Sequence, residues 1–285
     1  MKKILFATTA LVMTAGMAAA EVKITGAANI GAGSHDGGDV IVYNNATISA
    51  SASGATDSGL EFGFSGWSMR GGDGYTFGDT DDGHYGPHET PSVPEVYVSG
   101  AFGKLALKRN GYNFFYNDSS SDDADIKYSL SAGGLSVAVV ADLRGTAANA
   151  AGAVAGSSDF SLSADAALGG VAANLVYDSR GSNSLVSLSY PVGAITATVG
   201  VDANAAETIK IAYSADGVSA SFKYGTDEAW KITAGMTSGA VGVNVETTSA
   251  DKWQATASYD LGGGAKLNGG VNYEEDLYAG LSFSF

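Results

Sequence analysis

Apolar and polar residues take turns along most of the chain from Glu21 onward. Val22-Lys23-Ile24-Thr25 sets the pattern, and Leu60, Phe62 and Phe64 keep it against Glu61, Gly63 and Ser65. Leu105 and Leu107 alternate with Lys104 and Lys108, and Ile126, Tyr128 and Leu130 with Asp125, Lys127 and Ser129. The same spacing returns in Ile209-Ile211-Tyr213, Phe222-Tyr224, Val241-Val243-Val245 and the closing Leu277-Ala279-Leu281-Phe283-Phe285. A period of two places successive side chains on opposite faces of a β-strand. Only the alanine-rich stretch from Ala147 to Gly156 hints at a helix, so the pattern predicts an all-β chain.

The breaks between these runs are of two kinds, and the kinds alternate. Short breaks rich in Gly, Ser and Asp, such as Ala132-Gly133-Gly134, Gly169-Gly170 and Ala215-Asp216-Gly217, supply the positive-φ residues of tight hairpins. The longer, more acidic breaks include Ser34–Asp39, Trp67–Pro94, Asn110–Asp123 and Arg144–Ser158, and they shrink after Arg180. Eight short turns with long ones between them predict about 18 strands of about ten residues, the length a tilted strand needs to cross a bilayer.

A soluble sandwich would bury the apolar face, whereas a membrane barrel turns it outward and lines its interior with the other face. Here the second face is Gly, Ala, Ser, Thr and scattered charge, too thin for a packed core. Tyr128, Tyr177, Tyr190, Tyr213, Tyr224, Trp230, Trp253, Tyr259 and Tyr273 lie near strand ends on the apolar face, where interfacial girdles belong. The expected architecture is a transmembrane antiparallel β-barrel.

Composition narrows the function. Forty glycines but only four prolines in 285 residues, without a three-residue period, exclude collagen. The absence of cysteine removes disulfides, thiolate metal sites and cysteine nucleophiles. A net charge of −15 argues against nucleic acid as a partner. Lys2 and Lys3, the apolar run from Ile4 to Met13 and Ala18-Ala19-Ala20 read as a signal peptide over residues 1–20. Its removal takes two lysines and no acid, leaving residues 21–285 at −17. Export through a cleaved signal peptide and a barrel together place the protein in a bacterial outer membrane, among its lipids.

Particular segments add a likeness. Ser53-Gly54-Ala55-Thr56-Asp57-Ser58-Gly59-Leu60-Glu61-Phe62-Gly63 resembles the first short-turn hairpin of the alphaproteobacterial general porins, and Val98-Ser99-Gly100-Ala101-Phe102-Gly103-Lys104 their second. Ala257-Ser258-Tyr259-Asp260-Leu261-Gly262-Gly263-Gly264 with Phe283-Ser284-Phe285 is similar to their last hairpin and strand, and Glu21-Val22-Lys23 to their mature start. The resemblance implies a homotrimeric, water-filled channel for passive diffusion of small hydrophilic solutes and ions. It implies 16 strands against the 18 of the turn count, hence a range of 16–18. It also implies a third long loop folded into the lumen, but the corresponding Asn110–Asp123 has only 14 residues.

The candidate pore-lining charges, by alternation, are Lys23, Glu61, Glu95, Lys104, Lys108, Asp125, Lys127, Lys210, Lys223, Lys231 and Lys252. Lys266, Asp142, Asp165, Asp202, Glu246 and Asp260 share that face. Opposed charges across a pore make a transverse field that polar solutes tolerate. The longest loop, Trp67–Pro94, is expected to set the constriction, with Arg70, Asp73, Asp79, Asp81, Asp82 and Glu89; the alternative is that it latches over a neighbouring subunit. No cofactor is expected. His84, His88 and Asp82 are weak metal candidates, and the acidic loops could hold Ca²⁺. With three histidines, all in loops, and no G-x-S-x-G motif, an enzyme is not expected. The rival to a channel is a non-conducting structural or adhesive barrel.

Overall fold

Tight turns with positive φ at both central residues favour two-residue hairpins between strands of matching twist. Gly133-Gly134, Gly169-Gly170 and Asp216-Gly217 all have this geometry. A computed structural model describes residues 21–72, 74–75, 84–85, 91–116, 124–142, 159–180, 183–204, 206–226 and 228–285. Its strands are β1 Glu21–Ser34, β2 Ile41–Ala55, β3 Glu61–Gly72, the short β4 Gly74–Tyr75 and β5 His84–Tyr85, and β6 Glu95–Gly100. Then come β7 Gly103–Tyr112, β8 Ala124–Ala132, β9 Leu135–Ala141, β10 Phe160–Leu168, β11 Val171–Asp178, β12 Asn183–Val192 and β13 Ile195–Asp202. The last are β14 Glu207–Ala215, β15 Val218–Gly225, β16 Trp230–Ser238, β17 Val241–Thr248, β18 Trp253–Gly262, β19 Ala265–Asn272 and β20 Leu277–Ser284.

All but β4 and β5, which pair with each other, form one 18-stranded antiparallel sheet. It closes where β1 meets β20, Ala27 facing Ser284 through Ser34 facing Leu277. Gly26 and Phe285 complete the seam by exchanging N–H···O bonds of 2.7 and 2.9 Å. Closure is what lipid demands, since a free strand edge would leave backbone groups unpaired there. The turn count therefore holds at 18, and the 16 strands implied by the resemblance do not.

The seam is tied at two further places. The Tyr43 ring lies over two glycines of β1 and β20: a Cβ on Gly31 would stand 2.3 Å from its hydroxyl oxygen, and one on Gly280 2.5 Å. At the outer strand ends, His35 Nδ1 meets Asp276 Oδ1 at 2.6 Å, and Asn272 Nδ2, at the end of β19, donates to Asp276 Oδ2 at 2.7 Å. The Asp36 N–H donates to the same buried carboxylate at 3.0 Å.

One expected boundary moves. Trp67 to Gly72 belong to β3, not to the long loop, and Arg70 faces Thr47 of β2. The register slips between Ala50 and Ala52, opposite Gly66 with its φ of 72°. Such a bulge shifts the alternation by one residue. Phe62 and Phe64 share an outward face with Trp67 and Met69, so the even-numbered pattern turns odd and reads as broken.

Candidate functional site

The two faces of the sheet differ as lipid differs from water. Ile24, Val42 and Leu168 are 70, 73 and 67 % exposed, and isoleucines, valines and leucines cover the outside of strand after strand. Apolar surface this extensive far exceeds what a soluble monomer leaves uncovered. Facing the other way, Ser189 and Thr198 share a hydrogen bond of 2.8 Å, as do Ser221 and Thr233 at 2.6 Å. This hydroxyl-lined inner wall is the candidate site.

The candidate charges have distinct surroundings. Lys23 stands among Thr25, Ser49, Ser51 and Ser65, and Glu61 accepts a long bond of 3.4 Å from Ser99. Glu95 is more engaged: it binds Lys104 Nζ at 2.5 Å and the Tyr112 hydroxyl at 2.9 Å. Lys104 also lies 4.2 Å from the Tyr97 ring centroid, and Lys127 5.9 Å from that of Tyr112. The stem of Lys108 runs against Gly111, and Asp125 shares the face of Lys127, opposite Ile126. Arg70 lines a polar hollow with Asn29, Tyr43, Asn45, Asn268 and Tyr278.

On the far wall, Lys210 is directly paired with Lys223 and Lys223 with Lys231. Glu246 binds Lys231 at 2.6 Å. Lys252 sits apart, in the outer turn before β18, with Nζ 5.2 Å from the Tyr273 ring centroid. A hydrogen bond to Tyr273 pushes its pKa above the ordinary lysine value.

Asp73, Asp79, Asp81, Asp82, His88 and Glu89 lie outside the described residues, and of His84 only the backbone, in β5, is described. Among the described residues no three His, Asp or Glu side chains gather as a metal site would require. His35, the remaining histidine, is engaged with Asp276.

The described part of Asn110–Asp123 turns inward, which its length had argued against. Phe114 is buried against Ala106, Tyr112, Ala124 and Val140, inside the barrel wall. The guanidinium carbon of Arg180 lies 3.6 Å from the Phe114 ring centroid, while Arg180 Nη2 binds buried Asp178 at 3.1 Å. The Phe115 N–H donates to Ser161 Oγ at 3.1 Å, and that hydroxyl donates to the Tyr177 carbonyl at 2.8 Å. The Tyr116 hydroxyl then donates to Asp202 Oδ2 at 2.9 Å, at the outer end of β13. Asp202 is pre-set for this, because the N–H groups of Asn204 and Ala206 hold its other oxygen at 2.8 and 2.9 Å. Hydrogen bonding to Asp202, and then desolvation, raises the Tyr116 pKa, so the phenol keeps the proton it donates. The segment thus runs from β7 past β9 to β11 to the β13–β14 turn.

A closed barrel, a wet charged wall and a short segment folded onto it are now together. The sequence profile of the Gram-negative porins matches residues 7–277. The chain belongs to the Gram-negative porin family. It forms an outer-membrane porin channel. No curated protein matches it in sequence. Among solved structures, a porin refined at 1.8 Å resolution is similar over 93 % of this chain and 100 % of its own, with TM-score 0.55 and 20 % identity. A mutant of Rh. blastica porin gives TM-score 0.53 and 14 % identity over 93 % of this chain and 100 % of its own. Pseudomonas aeruginosa OccK2, solved in complex with glucuronate, gives TM-score 0.58 and 10 % identity over 96 % of this chain and 98 % of its own.

In this porin the alternation rule found the wall but not the groups that shape it. Phe114, Tyr116, Ser161, Asp178 and Arg180 were missed as functional residues. The available signal was Phe114-Phe115-Tyr116 itself: three successive aromatics in an outer loop otherwise made of Asn, Asp and Ser. Aromatic rings in such a loop need an apolar surface, and the one within reach is the inner wall.

Proposed function

We propose that the protein, exported through a cleaved signal peptide over residues 1–20, assembles as a homotrimer in the outer membrane. There it passes small hydrophilic solutes and ions by diffusion. The single observation that supports this is the closed barrel whose outer face is apolar and whose inner face carries hydroxyls and charge. Diffusion needs a wall that hydrates a solute without holding it, and short hydroxyl side chains supply that.

The constriction in this reading is set by Asn113–Tyr116 on one wall. The loop from residue 73 to Pro94 either adds its carboxylates to the passage or latches onto a neighbouring subunit. Reconstituted protein should make liposomes permeable to small sugars and should insert into planar bilayers in threefold conductance steps. Liposomes that stay impermeable would favour the structural or adhesive barrel. Deleting residues 74–89 separates the two loop roles. Larger conductance with intact trimers indicates an inward loop, and unchanged conductance with trimers that part on mild heating indicates a latch.

A further inference from the structure

The three lysines of β14 to β16 are arranged in a way that a merely wet wall does not need. Lys210 pairs directly with Lys223, and Lys223 with Lys231, so one row crosses three adjacent strands. Like charges directly opposite one another destabilise a sheet. Lys104, by contrast, is paired with Glu95. Here the inner-face neighbours are Thr198, Thr208, Ser221 and Thr233; Glu246 stands near on one flanking strand, and Asp202 on the other lies four residues outward of Thr198. Glu246 is taken by Lys231, and Asp202 by Tyr116 and two backbone N–H groups. Lys210 and Lys223 have no ion-pair partner among the described residues, and both are exposed to the lumen.

Position adds to chemistry. The inward segment ends at Asp202 on β13, the strand beside β14, four residues outward of Thr198, which faces Lys210, so the row lies about 13 Å further along the pore than the tip. A solute skirting that tip meets the row. With strands about 4.8 Å apart, the row spans about 10 Å, enough for two or three ammonium groups to share one ligand with several negative oxygens.

We propose that Lys210, Lys223 and Lys231 form a binding subsite for multivalent oxyanions, flanked by the hydroxyls of Thr198, Ser221 and Thr233. The subsite rests on the channel reading and goes beyond it, because it makes passage selective for what the row holds briefly.

The test is chloride current through the full-length porin in planar bilayers, in about 0.1 M KCl, where screening reaches only about 10 Å. Inorganic phosphate or citrate is then added to one side. Wild type should lose current at millimolar concentrations of at least one of them. A compact ligand is indicated if phosphate acts, and an extended polycarboxylate if citrate alone does. The Lys210→Gln/Lys223→Gln variant should need about tenfold more of the same anion, and Lys210→Arg/Lys223→Arg should respond as wild type does. Identical responses in wild type and the glutamine variant, with both conducting, would overturn the subsite and leave the channel standing. A wild type that does not conduct would overturn the channel reading itself, and the subsite with it.

Discussion

The wall from β7 to β11 and the wall from β14 to β16 are built by the same alternation, yet one is partly dry and the other wet. On the first, the inner-face residues Ala106, Val140 and Ser161 are buried beneath Phe114 and Phe115. Beside it, Lys104 is paired with Glu95. On the second, Ser221, Thr233 and the lysine row face the lumen with nothing folded over them among the described residues. On the shorter way round the closed sheet only β12 and β13 stand between the two walls. The difference lies in the loops: an outer loop with three aromatics folds back, whereas the short turns between β13 and β17 have neither the length nor the rings to do so. A loop thus decides whether a stretch of inner wall acts as core or as channel.

Removing what holds the loop should make the first wall resemble the second. The largest effect is expected from Phe114→Ala. Truncating a buried aromatic costs about 3–5 kcal/mol, more than the segment's remaining hydrogen bonds can offset, so single-channel conductance should rise. Unchanged conductance would mean that the segment does not narrow the passage. Ser161→Ala comes next: it strands the Phe115 N–H for about 1–3 kcal/mol. Brief openings to the Phe114→Ala level, visible in current traces, are expected rather than a steady increase.

Glu95→Gln acts on charge instead of packing. It leaves Lys104 as bare as Lys210, so the reversal potential under a salt gradient should move toward that of chloride while conductance changes little. The smallest effect is a pH dependence. The neutral Tyr116 phenol is the donor to Asp202, and its pKa is raised in the folded protein by that bond. Its contribution is fully present below the ordinary phenol pKa of about 10, and is lost as pH rises through the higher folded value. Conductance measured from neutral pH upward should stay level until that alkaline range and then increase. Tyr116→Phe should abolish the rise.

Much of this was legible in the sequence for a local reason. Alternation is set by neighbours two residues apart, and tight turns by the φ of one or two residues, so Ile209-Lys210-Ile211 and Gly133-Gly134 carry their meaning within a few positions. Strand number and the apolar outside follow from such signals alone. A bulge defeats them at Gly66, where a one-residue shift hides the rest of β3. What only the tertiary structure decided involves residues far apart in the chain. Tyr116 reaches Asp202 across 86 positions, and His35 is close to Asp276 only because the barrel closes. The alignment of Lys210, Lys223 and Lys231 depends on register between strands, which the spacing of each lysine within its own strand does not contain. Periodicity states which face a side chain is on; closure and register decide which other side chains it meets there, because both are properties of paired strands and not of any one of them.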